Sequence, residues 1–358
     1  MIRVAVIGAT GYAGAELVSL LDRHAFVEIA ALFSGVGGRT ATWATLHPSL
    51  HQGEGPDAFP FDLDLLIASD VEVVFLATPN EVSADLVPKI LEHDIRVVDL
   101  SGSFRLPNAA SYPQWYAFAH PAPALLAEAA YGLPEWFADA IAPAKLVANP
   151  GCYPTSILLA LLPLRHLLSK DQTIVCDVKS GVSGAGRRQE VEYSFAELTN
   201  NFRAYGVGKH RHEPEIRHFL GINGAPPFVF VPHLLPVNRG ILSTMHVRFA
   251  TPQTDAELES IFASVYGTPS GACPKEADAD TGAPTAKAPF VTIHPPGVLP
   301  DLRSVVGTPR CEIGLALLDD GQGAVIVSVL DNLLKGAASQ AVQNFNLMFA
   351  LGNREGLA

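Results

Sequence analysis

Arg3-Val-Ala-Val-Ile-Gly8-Ala-Thr-Gly11-Tyr-Ala-Gly14-Ala-Glu-Leu-Val-Ser-Leu-Leu21 is the stretch on which the fold turns. Val4 to Ile7 form a short apolar run, as a buried strand does, and Leu17, Val18, Leu20 and Leu21 then recur at helical spacing. Between them, glycines at 8, 11 and 14 allow a tight turn, close approach of a pyrophosphate to backbone N–H groups, and close packing of helix on strand. The spacing is a variant of the Gly-x-Gly-x-x-Gly fingerprint, and glycine-rich turns also occur with no ligand. Its place directly after an N-terminal strand favours a dinucleotide site, with Thr10 and Tyr12 in the turn.

Outward from this unit, the next strand, Val27 to Phe33, runs into Ser34, where an NAD-selective site would carry an acid for the ribose 2′-OH. Ser34 with Arg39 suits a 2′-phosphate instead, so NADP is expected over NAD. Val71 to Ala77 and Arg96 to Leu100 read as two more strands, with helical spacing from Glu81 to His93 between them. The alternation predicts an α/β fold with a Rossmann-type doubly wound parallel sheet, built from residues 1–150 and a helical terminal stretch, 331–358. Thr78 and Pro79 after one strand, and Ser101 and Arg105 after the next, fall where such sheets bind ligands. Leu106 to Ala144 reads as irregular connections and short helices before a strand at Lys145 to Ala148.

From 151 to 330 the pattern changes. Thr173 to Lys179, Phe228 to Val231, Ile241 to Phe249 and Gly323 to Leu330 are strand-like, and Asp255 to Tyr266 is helix-like, which predicts a second, α+β domain with a largely antiparallel or mixed sheet. The small, polar, proline-bearing segment from Thr268 to Pro289 reads as a mobile insertion.

With 358 residues, 48% of them hydrophobic and 17% charged, the chain has the composition of a soluble globular protein long enough for two domains. Met1 to Ile7 reads as a strand rather than a secretory signal, and no apolar run reaches membrane-spanning length. A net charge of −12, from 24 basic and 36 acidic residues, argues against a general nucleic-acid or anionic-membrane surface. An anionic small-molecule substrate needs a local basic pocket. Four scattered cysteines, Cys152, Cys176, Cys273 and Cys311, show neither disulfide nor zinc spacing and point to a reducing cytoplasm.

One of the four stands apart. Asn149-Pro-Gly-Cys152-Tyr-Pro154-Thr-Ser156 delivers Cys152 to the start of an apolar helix, Ile157 to Leu162, and Pro154 suits a first helical turn. Unpaired backbone N–H groups and the positive end of the helix dipole favour the thiolate, the nucleophilic form. Gly151 allows close backbone approach, and Asn149 can polarise a neighbour. The ordinary alternative is a buried cysteine packing as a small hydrophobe, which is the expectation for Cys176 inside its strand pattern.

Two stretches supply what a cysteine nucleophile needs. Lys179 to Arg188 is a glycine-rich loop able to hold anions through backbone N–H groups and two arginines. Lys209-His-Arg-His-Glu-Pro-Glu215 gathers His210, Arg211, His212 and Glu215, so Cys152 with His210 or His212 makes a nucleophile and acid–base pair. A metal is not expected, because a third ligand at characteristic spacing is missing.

Taken together, Gly8 to Leu17, Asn149 to Thr155, Lys179 to Arg187, His210-Arg-His212 with Pro214 to Ile216, Pro232 to Leu234 with Arg239 to Ile241, and Asp331 to Ala338 resemble N-acetyl-gamma-glutamyl-phosphate reductase of arginine biosynthesis, almost end to end. The resemblance implies a Rossmann domain completed by the C-terminal helix, a second domain of the semialdehyde dehydrogenase type, NADPH, and a homo-oligomer, dimer or tetramer. It implies Cys152 as nucleophile and His210 as the acid–base histidine, with His212 in reserve. It places Gly8, Thr10, Gly11, Tyr12, Gly14, Ser34, Arg39, Thr78, Pro79, Ser183, Gly184 and Asn332 around the cofactor. Arg105, Asn149, Arg187, Arg211, His212 and Glu215 fall around the substrate. Two departures bear on substrate positioning: Ser101-Gly-Ser-Phe-Arg105 stands where the family usually reads Ser-Ala-Asp-Phe-Arg, and Gly307-Thr-Pro-Arg-Cys311 replaces its Gly-Ser/Thr-Asn before the late cysteine. A reductase of carrier-linked aminoadipyl phosphate shares most of these motifs, and aspartate-semialdehyde dehydrogenase runs the same chemistry on a shorter substrate. A non-catalytic NADP-binding redox sensor would need neither the glycine-rich loop nor the histidines.

Overall fold

The computed structural model describes residues 1–50, 57–187, 190–267, 288–318 and 320–357. Arg188, Cys273 and nearly all of the Thr268 to Pro289 segment lie outside the described residues. The chain divides into two compact units, one of Met1–Gly151, Ala185–Gln189 and Gly336–Ala358, the other of Cys152–Gly184 and Glu190–Lys335. The boundary expected at 330/331 thus falls at 335/336. The reason is Asp331, whose buried carboxylate pairs with Arg239 at 2.9 Å and accepts the N–H groups of Gly307, Leu333 and Leu334, tying that segment to the second unit. Residues 185–187, expected with the second domain, belong to the first unit.

The first unit holds strands β1 (Ile2–Ile7), β2 (Val27–Gly35), β3 (Ala41–Thr42), β4 (Asp57–Pro60), β5 (Val73–Leu76), β6 (Arg96–Asp99), β7 (Ala130–Tyr131) and β8 (Leu146–Ala148), in the order β3-β4-β2-β1-β5-β6-β8-β7. All neighbours are parallel except β3 and β4. Val4, Val6 and Ile7 of β1 and all of β5 are buried, as strands covered on both faces must be, which is why they read as unbroken apolar runs. The strand order reverses between β1 and β5, and ligands of such sheets bind outside the carboxyl ends at that switch point. Helix α1 (Tyr12–Asp22) leaves β1 there and α2 (Asn80–Leu91) leaves β5 there; α3 (Pro134–Ile141) precedes β8. The C-terminal helix, Ser339–Met348, packs against α1 and α3 through the buried residues Ala341, Val342 and Phe345.

The second unit is a mixed sheet of seven strands, β9 (Ile174–Ser180), β10 (Arg203–Ala204), β11 (Phe228–Leu234), β12 (Ile241–Arg248), β13 (Val291–Ile293), β14 (Cys311–Leu317) and β15 (Gly323–Leu330), ordered β10-β11-β9-β12-β15-β14-β13. Only β11 with β9 and β13 with β14 run parallel. Strand β14 is not among the strands expected from the sequence: Cys311, Ile313, Leu315 and Leu317 alternate with Glu312 and Gly314, but its burial extends to both faces and includes the glutamate. Helix α4 (Cys152–Leu161) lies on β12 and β15 and touches α5 (His212–Leu220). Helix α6 (Asp255–Tyr266) begins with a capping box between Thr254 and Glu257. Under α4 the core contains hydroxyls: Ser156 Oγ lies 2.7 Å from Ser243 Oγ and donates to Ser328 Oγ at 3.0 Å, with Cys311 Sγ 3.4 Å from Ser328 Oγ. On the other face of β9, β11 and β12, Val175, Val229, Val231 and Leu242 keep part of their surface exposed.

Candidate active site

Cys152 is the first residue of α4, as expected, and its helix is otherwise buried from Tyr153 to Leu161 while the cysteine itself is only partly buried. Pro154 falls in the first turn, where a missing N–H removes no helical hydrogen bond. Cys176 and Cys311 are buried in β9 and β14, and burial pushes the Cys176 thiol up, so it is not a ready thiolate.

Around the start of α4 the second unit gathers aromatic and imidazole rings. Tyr153 stands edge-on to His210 and His212, with ring centroids 5.4 and 5.6 Å away, and the two imidazoles are 4.8 Å apart. Tyr205 lies 5.6 Å from His210, Phe230 closes the floor at 5.5 Å, and the phenol oxygens of Tyr153 and Tyr205 are 2.8 Å apart. Burial, aided by the Arg211 charge, lowers the His210 pKa to about 4, so its imidazole is neutral at pH 7. His210 Nδ1 accepts the backbone N–H of His212 at 3.2 Å, which leaves the neutral ring its proton on Nε2. Burial raises both phenols, Tyr205 to about 12, and the nearby Cys152 charge further opposes their ionisation. His212 opens α5 and is buried, as is Glu215 one turn along; Arg211 is exposed.

Several residues expected at the ligands also hold the scaffold. Asn149, expected at the substrate, donates its N–H to Asp99 O at 2.8 Å and Nδ2 to Ala337 O at 3.2 Å; its carbonyl accepts Arg105 Nε at 2.8 Å and its Oδ1 accepts Asn344 Nδ2 at 3.0 Å. Arg105, also expected at the substrate, is buried and gives a second donor to Leu100 O at 2.8 Å. The glycine-rich loop is not an open nest of N–H groups. Gly181, Val182, Ser183 and Gly184 donate theirs to Gly240, Val237, Asn238 and Gly181 carbonyls, and Asn332 is spent on Gly240 N and Ser183 Oγ. A loop that reads as glycine-rich and flexible is here pinned to the neighbouring turn.

In the first unit the glycine turn fits a dinucleotide. Gly8 has φ +89°, and a Cβ there would meet Ala77 O at 2.3 Å; one on Gly14 would meet Gly8 O at 2.2 Å, so strand, turn and helix close with no side chain between. Helix α1 starts after Gly11 without a side-chain cap, leaving its first N–H groups to an anion. Tyr12 is exposed beside it. Thr10 O accepts Arg187 Nη1 at 3.3 Å, so this arginine, expected at the substrate, sits on the glycine turn. Ser34 donates its hydroxyl to Phe59 O at 3.2 Å, Arg39 is exposed, and Thr78 Oγ1 lies 2.7 Å from Ser83 Oγ beside Pro79, the residue before α2. At the first departure, Ser101 hydrogen-bonds Asp99 and Ser103, and the Tyr116 ring fills the space a Cβ on Gly102 would need.

Residues 3–144 match the family model described as semialdehyde dehydrogenase, NAD binding domain, and residues 152–270 the one described as semialdehyde dehydrogenase, dimerisation domain. Proteins named N-acetyl-gamma-glutamyl-phosphate reductase from Acidithiobacillus ferrooxidans and Laribacter hongkongensis are each 42% identical over all of this chain and 98% of their own, and one from Desulforapulum autotrophicum is 43% identical over the same shares. The chain belongs to the N-acetyl-gamma-glutamyl-phosphate reductase family. Solved aspartate semialdehyde dehydrogenases share the fold: that of Vibrio cholerae gives a TM-score of 0.70 at 18% identity over 98% of both chains, and that of Candida albicans, solved with NADP, 0.67 at 16% over 98% of this chain and 99% of its own. The aspartate enzymes are similar in fold alone. Among the described residues no three His, Cys, Asp or Glu side chains gather as a metal would require, and no helix is long and apolar enough to cross a membrane.

Against the family's motifs, sequence reasoning missed Tyr153, Tyr205 and Phe230 at the cysteine, and the amides of Gln340 and Asn344 that both hold Gly132 O at 2.9 Å. Tyr153 had a signal, being adjacent to Cys152. Tyr205 had none, since its phenol reaches Tyr153 only once β10 pairs with β11.

Proposed function

We propose that this protein reduces N-acetyl-gamma-glutamyl phosphate to N-acetylglutamate semialdehyde and phosphate, with NADPH as reductant and a thioester on Cys152 as intermediate. The observation that carries the reading is a partly exposed thiol at the head of a buried helix, inside a cluster of two histidines and two phenols. Identity over the whole chain to reductases of that name supports the substrate. The Cys152 thiolate attacks the acyl carbon; the C–S bond forms as the C–O bond to phosphate breaks, and phosphate leaves with that electron pair. A nicotinamide cofactor, when bound, would supply the hydride. The thiohemiacetal oxygen takes a proton from an acid–base histidine and returns it to the same histidine as the C–S bond breaks and its electron pair goes back to sulfur.

Which histidine takes that proton follows from the tautomer. His210, neutral with its proton on Nε2, offers a hydrogen-bond donor to a developing oxyanion. A group titrating near 4 is a poor base at neutral pH. We therefore assign His210 the donor role and the proton to His212, which opens the helix that carries buried Glu215 one turn along; the motifs alone suggest the reverse order.

Gly8, Gly11 and Gly14 hold the pyrophosphate. Arg39 favours the 2′-phosphate of NADP more than Ser34 does, because the serine hydroxyl is already engaged. Assembly runs through the outer face of β9, β11 and β12, where Val175, Val229 and Val231 stand among Asp177, Lys179, His233 and His246, against a second copy, and the cytoplasm suits an enzyme with free thiols. The test is NADP reduction by purified protein with phosphate, comparing N-acetylglutamate semialdehyde with aspartate semialdehyde. Phosphate-dependent turnover of the acetylated aldehyde, lost by about 10³ or more in Cys152→Ser, is the expected result; preference for the aspartate aldehyde overturns the substrate, and an active Cys152→Ser overturns the mechanism.

A further inference from the structure

The cluster at α4 contains a bond that the proposed reaction does not use. Tyr153 is the residue after the nucleophile and Tyr205 lies at the end of β10, yet their phenol oxygens meet at 2.8 Å. The Tyr153 phenol is also hydrogen-bonded to Ser180, the last residue of β9, whose hydroxyl lies 3.0 Å from Gly181 O. Tyr205, Tyr153 and Ser180 thus form a short run of hydroxyl contacts, which acts as a strut between the elements that carry them.

The strut joins three parts of the second unit. One end stands on the sheet, the middle is the first turn of α4, and the other end is a segment whose own N–H, at Tyr205, is fixed to Pro232 O at 2.9 Å. Five residues after Tyr205 comes His210, against whose ring the Tyr205 ring packs at 5.6 Å while Tyr153 packs at 5.4 Å. Both phenols therefore pack on the His210 ring, and one hydroxyl contact links the head of α4 to the segment that leads into the histidine turn. We propose that Tyr205 is a positioning residue for Cys152: its hydroxyl, docked on Tyr153, holds the His210–His212 turn at the distance from the thiol that the chemistry needs. This rests on the reading of Cys152 as nucleophile.

The test removes the hydroxyl and keeps the ring. Tyr205→Phe is expected to lower kcat about tenfold with KM for the acyl phosphate within about twofold, because the defect lies in the geometry of reacting groups rather than in substrate contacts. Alkylation of Cys152 by iodoacetamide, followed by peptide mapping without substrate or cofactor, should slow by about threefold at pH 6.5, as the thiolate loses its fixed neighbours. Tyr153→Phe breaks the same bond from the other side, so it should show the same losses, and the double variant should be no worse than either single one. Losses that multiply in the double variant, or unchanged kcat and alkylation with only a lower Tm, overturn the proposal. The alkylation arm needs no substrate, so a wild-type protein that fails to reduce the acyl phosphate refutes the proposed function without deciding the strut.

Discussion

At the residue scale, the histidine pair shows how two side chains of one type, two positions apart, are given different tasks by their surroundings. His210 is held neutral by burial and by Arg211, with its proton directed by a backbone N–H. His212→Asn should lower kcat by about 10² or more, and His210→Asn should cost less, about tenfold, as loss of one oxyanion donor. Steady-state rates of the two variants decide between them. The same burial predicts an acid limit to stability. The folded pKa of His210, about 4, lies below its ordinary 6.5, so the stability it lends is complete above about 6.5 and is lost as pH falls through 4. Urea midpoints measured from pH 7.5 to 4 should decline across that window, and His210→Gln should remove part of the decline.

The same scale shows what a sequence can and cannot disclose. Cys152 is legible because its signal is local, a proline and glycine turn ahead of an apolar helix. Asn149 and Arg105 look equally suited to a ligand on the page of letters, and the bonds they also make to the carbonyls of Ala337, Asn149 and Leu100 carry no local signal. Polar residues in a motif serve chemistry or scaffold by contacts that span the chain, and composition around them is the same in either case.

At the scale of elements, the β1–α1 turn leaves no tolerance. A methyl on Gly14 would stand 2.2 Å from the Gly8 carbonyl, a backbone atom that cannot swing aside. Gly14→Ala should therefore lower stability by about 1–3 kcal/mol and weaken NADPH binding at least tenfold, measured by thermal unfolding and by quenching of cofactor fluorescence. A normal affinity would show that the turn can widen. Strands β1, β2, β5 and β6 were readable because each is an apolar run of ordinary length followed by a turn signal. Strand β14 was not, since burial there comes from both neighbours and tolerates a buried glutamate, which His294 and Ser304 hydrogen-bond at 2.9 and 2.8 Å.

At the scale of the whole molecule, the mixed sheet has one face under α4 and another where Val229 is 40% exposed and Val175, Val231 and Leu242 are partly so. A second copy covering that face would bury it. Val229→Glu should then shift the protein toward monomer in sedimentation, while a charge placed at exposed Val298, outside that face, should leave the mass unchanged. If both variants sediment as wild type, assembly uses another surface.

The serine hydroxyls beneath α4 carry a further consequence. A helix buried on nearly every side has no polar face to tell it which way round to sit, and apolar packing alone would accept it at more than one rotation about its axis. Ser156 touches both Ser243 and Ser328, from two adjacent strands, so only one angular setting satisfies all three hydroxyls. Cys152 lies one turn before Ser156 on the same side of the helix, and the azimuth chosen in the core is the direction in which the thiol is aimed.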